Sequence, residues 1–90
     1  MKVQNITSNN GNKIANQFIV NDDNGNTYFQ SYNSMIVKLN GDRVELDQKY
    51  WNYSNTTGKY RNIFLNENIT ETRKKIKSGE YKLTNLNGGI

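Results

Sequence analysis

The chain has 90 residues, a net charge of +4 and an apolar content of 33%, which suits one small domain with a thin core. It contains no Cys and no His, so disulfides, thiolate metal sites and Ser-His or Cys-His nucleophiles are excluded. No apolar run is long enough to span a membrane, and the N-terminal segment lacks the apolar core of a secretory signal. We therefore expect a soluble cytoplasmic protein that has no metal, no cofactor and no membrane partner.

Three Asn-Gly dipeptides, at residues 10–11, 24–25 and 40–41, separate β-like runs in the first half of the chain. Asn-Gly favours tight hairpin turns, because both residues accept a positive φ at low cost. The spacing predicts an antiparallel meander of about five strands over residues 1–47.

The third turn gives the sharpest prediction of register. A two-residue loop at 40–41 pairs Val37 with Val44 and Met35 with Leu46, so these apolar side chains share one face. Ile36 then points to the other face. A slip of one residue would scatter the apolar set, so the pattern specifies which residues face inward.

The first two turns predict a second apolar cluster. The turn at 24–25 pairs Val20 with Phe29, and the turn at 10–11 pairs Val3 with Phe18. One face then collects Val3, Ile14, Phe18, Val20 and Phe29. Asp22 and Asp23, just before the second turn, also permit a longer loop.

After residue 48 the apolar period becomes helical. Thr56 or Thr57 is expected to cap a short helix that ends at Asn66. A second helix begins with the capping box Asn68–Glu71 and ends at Gly79.

Alternating side chains over residues 81–86 predict a final strand. The sequence therefore indicates an α+β fold, in which an antiparallel meander is followed by two short helices and a last strand. We expect a single domain over residues 1–86 and a flexible tail over 87–90.

The net positive charge comes entirely from the second half of the chain. Residues 1–45 hold four bases and four acids, whereas residues 46–90 hold eight bases and four acids. Bases alternate there with aromatic residues, which is typical of protein-binding hot spots and of single-strand nucleic-acid sites. The candidate partner-binding residues are Lys49, Tyr50, Trp51, Tyr53, Lys59, Tyr60 and Arg61. The thin core also favours an interior role for Trp51 and several tyrosines.

A second basic run lies at the end of the second predicted helix. It provides candidate contacts to phosphate or to an acidic surface: Arg73, Lys74, Lys75 and Lys77. We favour a solvated helix face instead, with a Glu71–Lys75 pair at i, i+4 and cations placed well for the helix dipole.

One fragment matches half of a metal-dependent nuclease site, the Glu-x-Lys at Glu80–Lys82. Such a site needs a second acidic ligand nearby, and the preceding Asp47 is separated from it by both predicted helices. We therefore expect no enzyme activity.

Three segments carry a resemblance to a known group: YWNYSNTTGKYRNIFL at 50–65, ET at 71–72 and SGEYKLTNLN at 78–87. They resemble a family of short, uncharacterised proteins of bacteriophages and mobile elements, and the upstream segments 16–20 and 28–32 fit the same impression. The resemblance implies a small non-enzymatic binding protein in a bacterial host cell.

Small phage proteins of this kind include inhibitors of host defence. The resemblance therefore implies an anti-CRISPR-like inhibitor that contacts a host effector, such as a CRISPR-Cas nuclease or its complex. Many such inhibitors are acidic, whereas this chain is basic, so it would have to cover an acidic protein surface or contact nucleic acid. The alternatives are a nucleic-acid-binding accessory or regulatory protein of a phage, and a structural or assembly component.

Overall fold

The computed structural model describes residues 1–88. The elements follow one another as β1 (Lys2–Thr7), β2 (Lys13–Asn21), β3 (Thr27–Ser31), β4 (Ser34–Asn40), β5 (Arg43–Asp47), α1 (Asn55–Leu65), α2 (Ile69–Ser78) and β6 (Tyr81–Thr84). All six strands form one sheet in the order β1-β2-β3-β4-β5-β6. The predicted α+β fold is confirmed: a five-strand meander precedes two helices and a final strand.

Strand β6 pairs parallel to β5, whereas every other neighbouring pair is antiparallel. Parallel neighbours need a long crossover, and here α1 and α2 provide it. Both helices lie on one face of the sheet. On that face the ring of Phe64 in α1 stacks on Phe29, with 5.8 Å between centroids.

The turn between β4 and β5 is displaced from its predicted position. The two-residue loop is Gly41–Asp42, so Asn40 pairs with Arg43 and Val37 pairs with Leu46. Gly41 has φ 60°, which suits the first position of a type II′ turn. The predicted pairing of Val37 with Val44 was wrong by two positions. Because the shift is even, Val37 and Leu46 still share one face of the sheet, as predicted.

The turn between β2 and β3 takes the longer of the two loops. Its residues 22–26 are closed by a backbone hydrogen bond of 3.1 Å at their ends. Ile19 therefore pairs with Phe29. This odd shift sends Phe18 and Val20 to the face away from the helices, so the predicted pairing of Val20 with Phe29 is wrong.

The hairpin of β1 and β2 also departs from the predicted register. Val3 pairs with Val20 rather than with Phe18, and Thr7 pairs with Lys13. A bulge lies between these two pairs, because β2 has more residues there than β1. The predicted apolar cluster is therefore divided between the two faces of the sheet.

A second bulge interrupts β4. Phe29 pairs with Val37 and Gln30 pairs with Met35, which leaves Ile36 without an opposite residue. Ile36 and Val37 are both fully buried. The predictions that Ile36 lies on the face opposite Val37 and that Met35 shares the face of Leu46 are wrong, because a bulge breaks the alternation of side chains. The buried apolar core is Ile6, Phe29, Ile36, Val37, Leu46 and Tyr81.

The helix ends largely follow the sequence. Helix α1 is capped by Ser54, whose side chain accepts a hydrogen bond from the backbone of Thr57, so the predicted cap at Thr56 or Thr57 is wrong. Its C-cap is Asn66, in the left-handed conformation with φ 56°. Helix α2 has the predicted capping box and ends at Gly79.

The C-terminal segment is joined to the sheet at Asn87. Its side chain accepts a 2.8 Å hydrogen bond from the backbone N–H of Met35 and donates one of 3.1 Å to the Met35 carbonyl. The last part of the predicted tail, residues 89–90, lies outside the described residues. Neither helix of residues 1–88 has the length and apolar character needed to cross a bilayer.

Candidate functional site

The loop that joins β5 to α1, residues 48–54, is held in place by Asp47. The Oδ2 atom of this buried carboxylate accepts hydrogen bonds from the backbone N–H groups of Lys49 at 3.0 Å and Tyr50 at 2.8 Å. Its Oδ1 atom accepts one of 2.9 Å from the N–H of Leu86. Asp47 therefore fixes the loop against the segment that follows β6.

Two tyrosines and a lysine form the first part of the site. Tyr50 packs against the core, whereas Tyr53 is 63% exposed. Their rings meet edge to face with 5.5 Å between centroids, a favourable geometry for aromatic pairs. The Lys49 ammonium lies 5.3 Å from the centroid of the Tyr50 ring, within the range of a cation–π contact.

Trp51 lies beside two arginines. The Arg61 and Arg73 guanidinium carbons are 5.3 and 5.9 Å from the centroid of the Trp51 ring. The indole is half-buried and packs against the core. This agrees with the interpretation that the thin core needs Trp51. Arg73 is exposed on α2, so this contact brings a residue of the second basic run to the aromatic loop.

Arg61 is buried, with 1% of its surface exposed. It donates hydrogen bonds to the Trp51 carbonyl at 2.8 Å, to Asn52 Oδ1 at 3.0 Å and to Asn62 Oδ1 at 2.9 Å. Burial lowers the pKa of Arg61, and the positive charge of Arg73 lowers it further. Arg61 therefore joins α1 to the loop, and its burial removes it from a surface that a partner could reach.

Lys59 and Tyr60 lie apart from this loop. The Lys59 ammonium is 5.3 Å from the centroid of the Tyr60 ring. Both residues line a hollow of about 330 Å³ together with the turn between β1 and β2 and with Ile63. The seven candidate partner-binding residues are thus divided among a loop, an interior position and a hollow beside β1.

The Lys75 ammonium is engaged in a contact within the fold. It donates a 2.7 Å hydrogen bond to Oε1 of Glu67, which raises the pKa of Lys75 above its ordinary value. The predicted Glu71–Lys75 pair is wrong, because Glu71 is engaged in the capping box of α2. The hydrogen bond to Glu67 makes Lys75 a poor candidate for binding phosphate.

Glu67 is the centre of a buried network that the sequence did not indicate. Its side chain is 4% exposed and also accepts hydrogen bonds from the hydroxyls of Thr72 and Tyr81. Burial favours the neutral acid, but the hydrogen bonds from Lys75, Thr72 and Tyr81 outweigh it and lower the pKa of Glu67. Burial of the Tyr81 hydroxyl, together with its hydrogen bond to Glu67, raises the pKa of Tyr81.

The other three cations of the basic run remain exposed. Arg73, Lys74 and Lys77 lie on the outer side of α2, since they alternate with the inward-facing Thr72 and Ile76. Arg73 contacts Trp51 of the loop, and we group the loop residues with the exposed cations of α2 under the name cation–aromatic patch: Lys49, Tyr50, Trp51, Tyr53, Arg73, Lys74 and Lys77. Such a surface can contact carboxylates or phosphates and present a ring for stacking.

Residues 1–88 hold no group of three or more His, Cys, Asp or Glu side chains that could bind a metal ion. The Glu80–Lys82 fragment lies at the start of β6, where a hollow of about 240 Å³ is lined by Asp42, Arg43, Val44, Glu45, Glu80, Lys82 and Thr84. Three carboxylates, Asp42, Glu45 and Glu80, are mixed there with the cations Arg43 and Lys82.

The chain matches a family whose description is Family of unknown function (DUF8033), over residues 1–80. It belongs to this family. The match takes in the meander and both helices and ends just before β6, and it confirms the expectation of an uncharacterised family. Neither the curated proteins nor the solved structures contain a significant match.

Proposed function

We propose that this protein is a non-enzymatic binding protein that contacts an acidic surface of a partner protein through the cation–aromatic patch. The observation that carries the proposal is the exposure of Tyr53, which stands 63% exposed on a loop that Asp47 holds in place. A large ring on a fixed support loses little conformational entropy on binding.

The charges around this ring favour an acidic partner. Lys49, Arg73, Lys74 and Lys77 are exposed, and the whole net charge of +4 comes from residues 46–90. Positive patches attract acidic surfaces and raise association rates. Tyr and Arg are also the residue types in which binding energy concentrates.

The source and the target are the finer part of the proposal. We propose that the protein belongs to a phage or mobile element and acts in the cytoplasm of a bacterial host. Its partner is a host defence effector, such as a CRISPR-Cas nuclease or its complex, which it inhibits by protein–protein contact. The small size and the resemblance of residues 50–65 and 78–87 support this assignment, and the basic charge requires the effector to offer an acidic surface.

The test is affinity capture from a bacterial host lysate, with and without nuclease treatment. The wild-type protein is compared with Lys49→Ala/Tyr53→Ala, which removes a cation and a ring from the patch. The matched control is Tyr32→Ala/Arg43→Ala, which removes one exposed ring and one exposed cation elsewhere on the surface. Circular dichroism establishes that all three proteins are folded.

We expect one host protein to be retained after nuclease treatment and to bind the patch variant at least about tenfold more weakly than the control. Equal binding by the patch variant and the control would contradict the assignment of the patch. Loss of every partner after nuclease treatment would favour the alternative of a nucleic-acid-binding accessory protein, for which exposed Tyr53 would be the stacking ring.

A further inference from the structure

Strand β1 forms one end of the sheet, so one of its edges has no strand beside it within residues 1–88. Backbone N–H and C=O groups on such an edge are available to an added strand. Proteins that bind extended peptides often use this arrangement, in which the main chain provides affinity and flanking hollows provide specificity.

Two hollows border this edge. One, of about 500 Å³, is lined by the consecutive residues 3–7 of β1, together with Lys13 and Ile19. The other, of about 330 Å³, lies between the β1–β2 turn and α1 and is lined by Thr7, Ser8, Asn9, Ile14, Lys59, Tyr60 and Ile63. The hollows share Thr7, so they are adjacent. We call them together the β1 groove.

The β1 groove has apolar walls. Val3 and Ile63 are each 56% exposed, and Ile14, Ile19 and Tyr60 are only partly buried. Alternate side chains of an extended peptide point to opposite sides. A peptide beside β1 would therefore cover Val3 with one set of side chains and reach towards Ile63 with the other.

The charge in the groove is of one sign. Lys13 and Lys59 are the charged side chains in its lining, and Lys2 is exposed on β1 itself. Among residues 1–88, no carboxylate lines either hollow. A second copy of this chain would bring the same three lysines against themselves, and lysines on an edge strand oppose self-pairing.

We propose that the β1 groove binds an extended acidic peptide segment, which adds to the sheet as a strand beside β1. Carboxylates of the peptide pair with Lys13 and Lys59, and its apolar side chains cover Val3 and Ile63. This site shares no residue with the cation–aromatic patch, so it stands independently of the function proposed above.

The test uses a fluorescent peptide of about six residues, a common strand length, in which Glu alternates with Val or Ile. One control peptide carries Lys in place of Glu. A second keeps the acidic side chains but has Pro at alternate positions, which removes N–H donors from the strand. Binding is followed by fluorescence anisotropy, and hydrogen exchange of the backbone amides of residues 2–7 is measured with and without peptide.

The protein variant is Lys13→Glu/Lys59→Glu, and its matched control is Arg43→Glu/Lys82→Glu, which makes the same change of charge on β5 and β6, outside both the groove and the cation–aromatic patch. All four cations are exposed, so both variants should fold. We expect the acidic peptide to slow exchange in β1 and the groove variant to bind it at least about tenfold more weakly than the Arg43→Glu/Lys82→Glu control. The Pro peptide should lose affinity by a similar factor.

Three results would overturn the proposal. They are no binding of the acidic peptide, equal binding of the Lys peptide, and equal binding by the groove variant and its Arg43→Glu/Lys82→Glu control. Dimerisation of the protein without peptide, with protection of residues 2–7, would also overturn it, because a second copy would then occupy the edge.

Discussion

The Tyr81 hydroxyl donates a 2.8 Å hydrogen bond to Oε1 of Glu67, the same oxygen that accepts a hydrogen bond from Lys75. Glu67 lies between the two helices, and Tyr81 begins β6. One buried carboxylate thus joins the connection between the helices, α2 and the last strand.

Replacing Glu67 with Gln should lower the free energy of unfolding by about 1–3 kcal/mol. The amide cannot accept all three hydrogen bonds, and it removes the charge that pairs with Lys75. Because the Lys75 side chain is 35% exposed, its ammonium can turn towards solvent, which limits the loss. The measurement is urea denaturation. Glu80→Gln, at an exposed position, is the control and should change stability by less than about 0.5 kcal/mol.

The same carboxylate predicts an acid-dependent loss of stability. The folded state lowers the pKa of Glu67 below its ordinary value of 4.5, so its contribution is present above that pH. It is lost as the pH falls through the lower pKa of the folded state, because the unfolded chain takes up the proton first. Denaturation midpoints between neutral pH and about pH 3 should therefore fall less steeply for Glu67→Gln than for the wild type.

Asp22 is a second carboxylate whose protonation should lower stability at acid pH. The side-chain hydrogen bond from Asn26 is the main cause that lowers the pKa of Asp22. Asp22 is present in both proteins, so its effect cancels in the comparison of Glu67→Gln with the wild type. Parallel curves for the two proteins would contradict the role given to Glu67.

Arg61 should be needed for folding rather than for contact with a partner. Arg61→Met should cost about 2–4 kcal/mol, because it leaves three oxygen acceptors near the loop without their donor. Near-ultraviolet circular dichroism should also change, since the guanidinium lies against Trp51. Lys59→Met, on the exposed side of the same helix, should cost less than about 0.5 kcal/mol. Equal stability of the two variants would contradict the buried position of Arg61.

The cap of α1 can be assigned by a pair of alanine variants. Ser54→Ala removes the oxygen that accepts the Thr57 N–H at 3.1 Å and should cost about 1 kcal/mol. Thr56→Ala, at an exposed position inside the helix, should be neutral or slightly stabilising, since Ala is the better helix former. A larger loss for Thr56→Ala would move the cap to the position that the sequence first indicated.

Gln17 offers a substitution that should not destabilise the fold. Its side chain is 1% exposed, and neither its amide nitrogen nor its amide oxygen has a hydrogen-bond partner among the described residues. An unpaired buried amide costs about 1–3 kcal/mol, so Gln17→Met, of similar shape, should leave stability unchanged or raise it. A loss above about 1 kcal/mol in thermal or urea denaturation would show that the amide is bonded in solution.

The order of elements could be predicted because local signals specify it. Glycine turns end the strands, and the Asn68–Glu71 capping box and Gly79 bound the second helix. The pairing register could not be predicted, because side chains in the turns decide it. At the second turn, Asp22 Oδ1 accepts hydrogen bonds from the N–H groups of Asn24 and Asn26, both at 2.9 Å. These bonds stabilise the longer loop.

The alternation of bases with aromatic residues identified the loop at 49–53 as a candidate site, but it did not show which rings are exposed. The burial of Arg61 could not be predicted either, because charged side chains are almost never fully buried unless they are paired. Its burial depends on Trp51, Asn52 and Asn62 bringing three oxygens together, which is a property of the folded chain. The role of Glu67 could not be predicted for the same reason, since its hydrogen-bond partners lie on α2 and β6.

The parallel pairing of β5 with β6 has a consequence for synthesis on the ribosome. The antiparallel hairpins of the meander join neighbours, so residues 1–47 can pair as they emerge. Tyr81 can reach Val44 only after both helices have been made, and until then β5 keeps an open edge beside the apolar Leu46. A nascent chain, or one cut before Tyr81, is therefore exposed to strand exchange with other copies. Pairing of β6 with β5 closes this edge and so protects the chain from strand exchange.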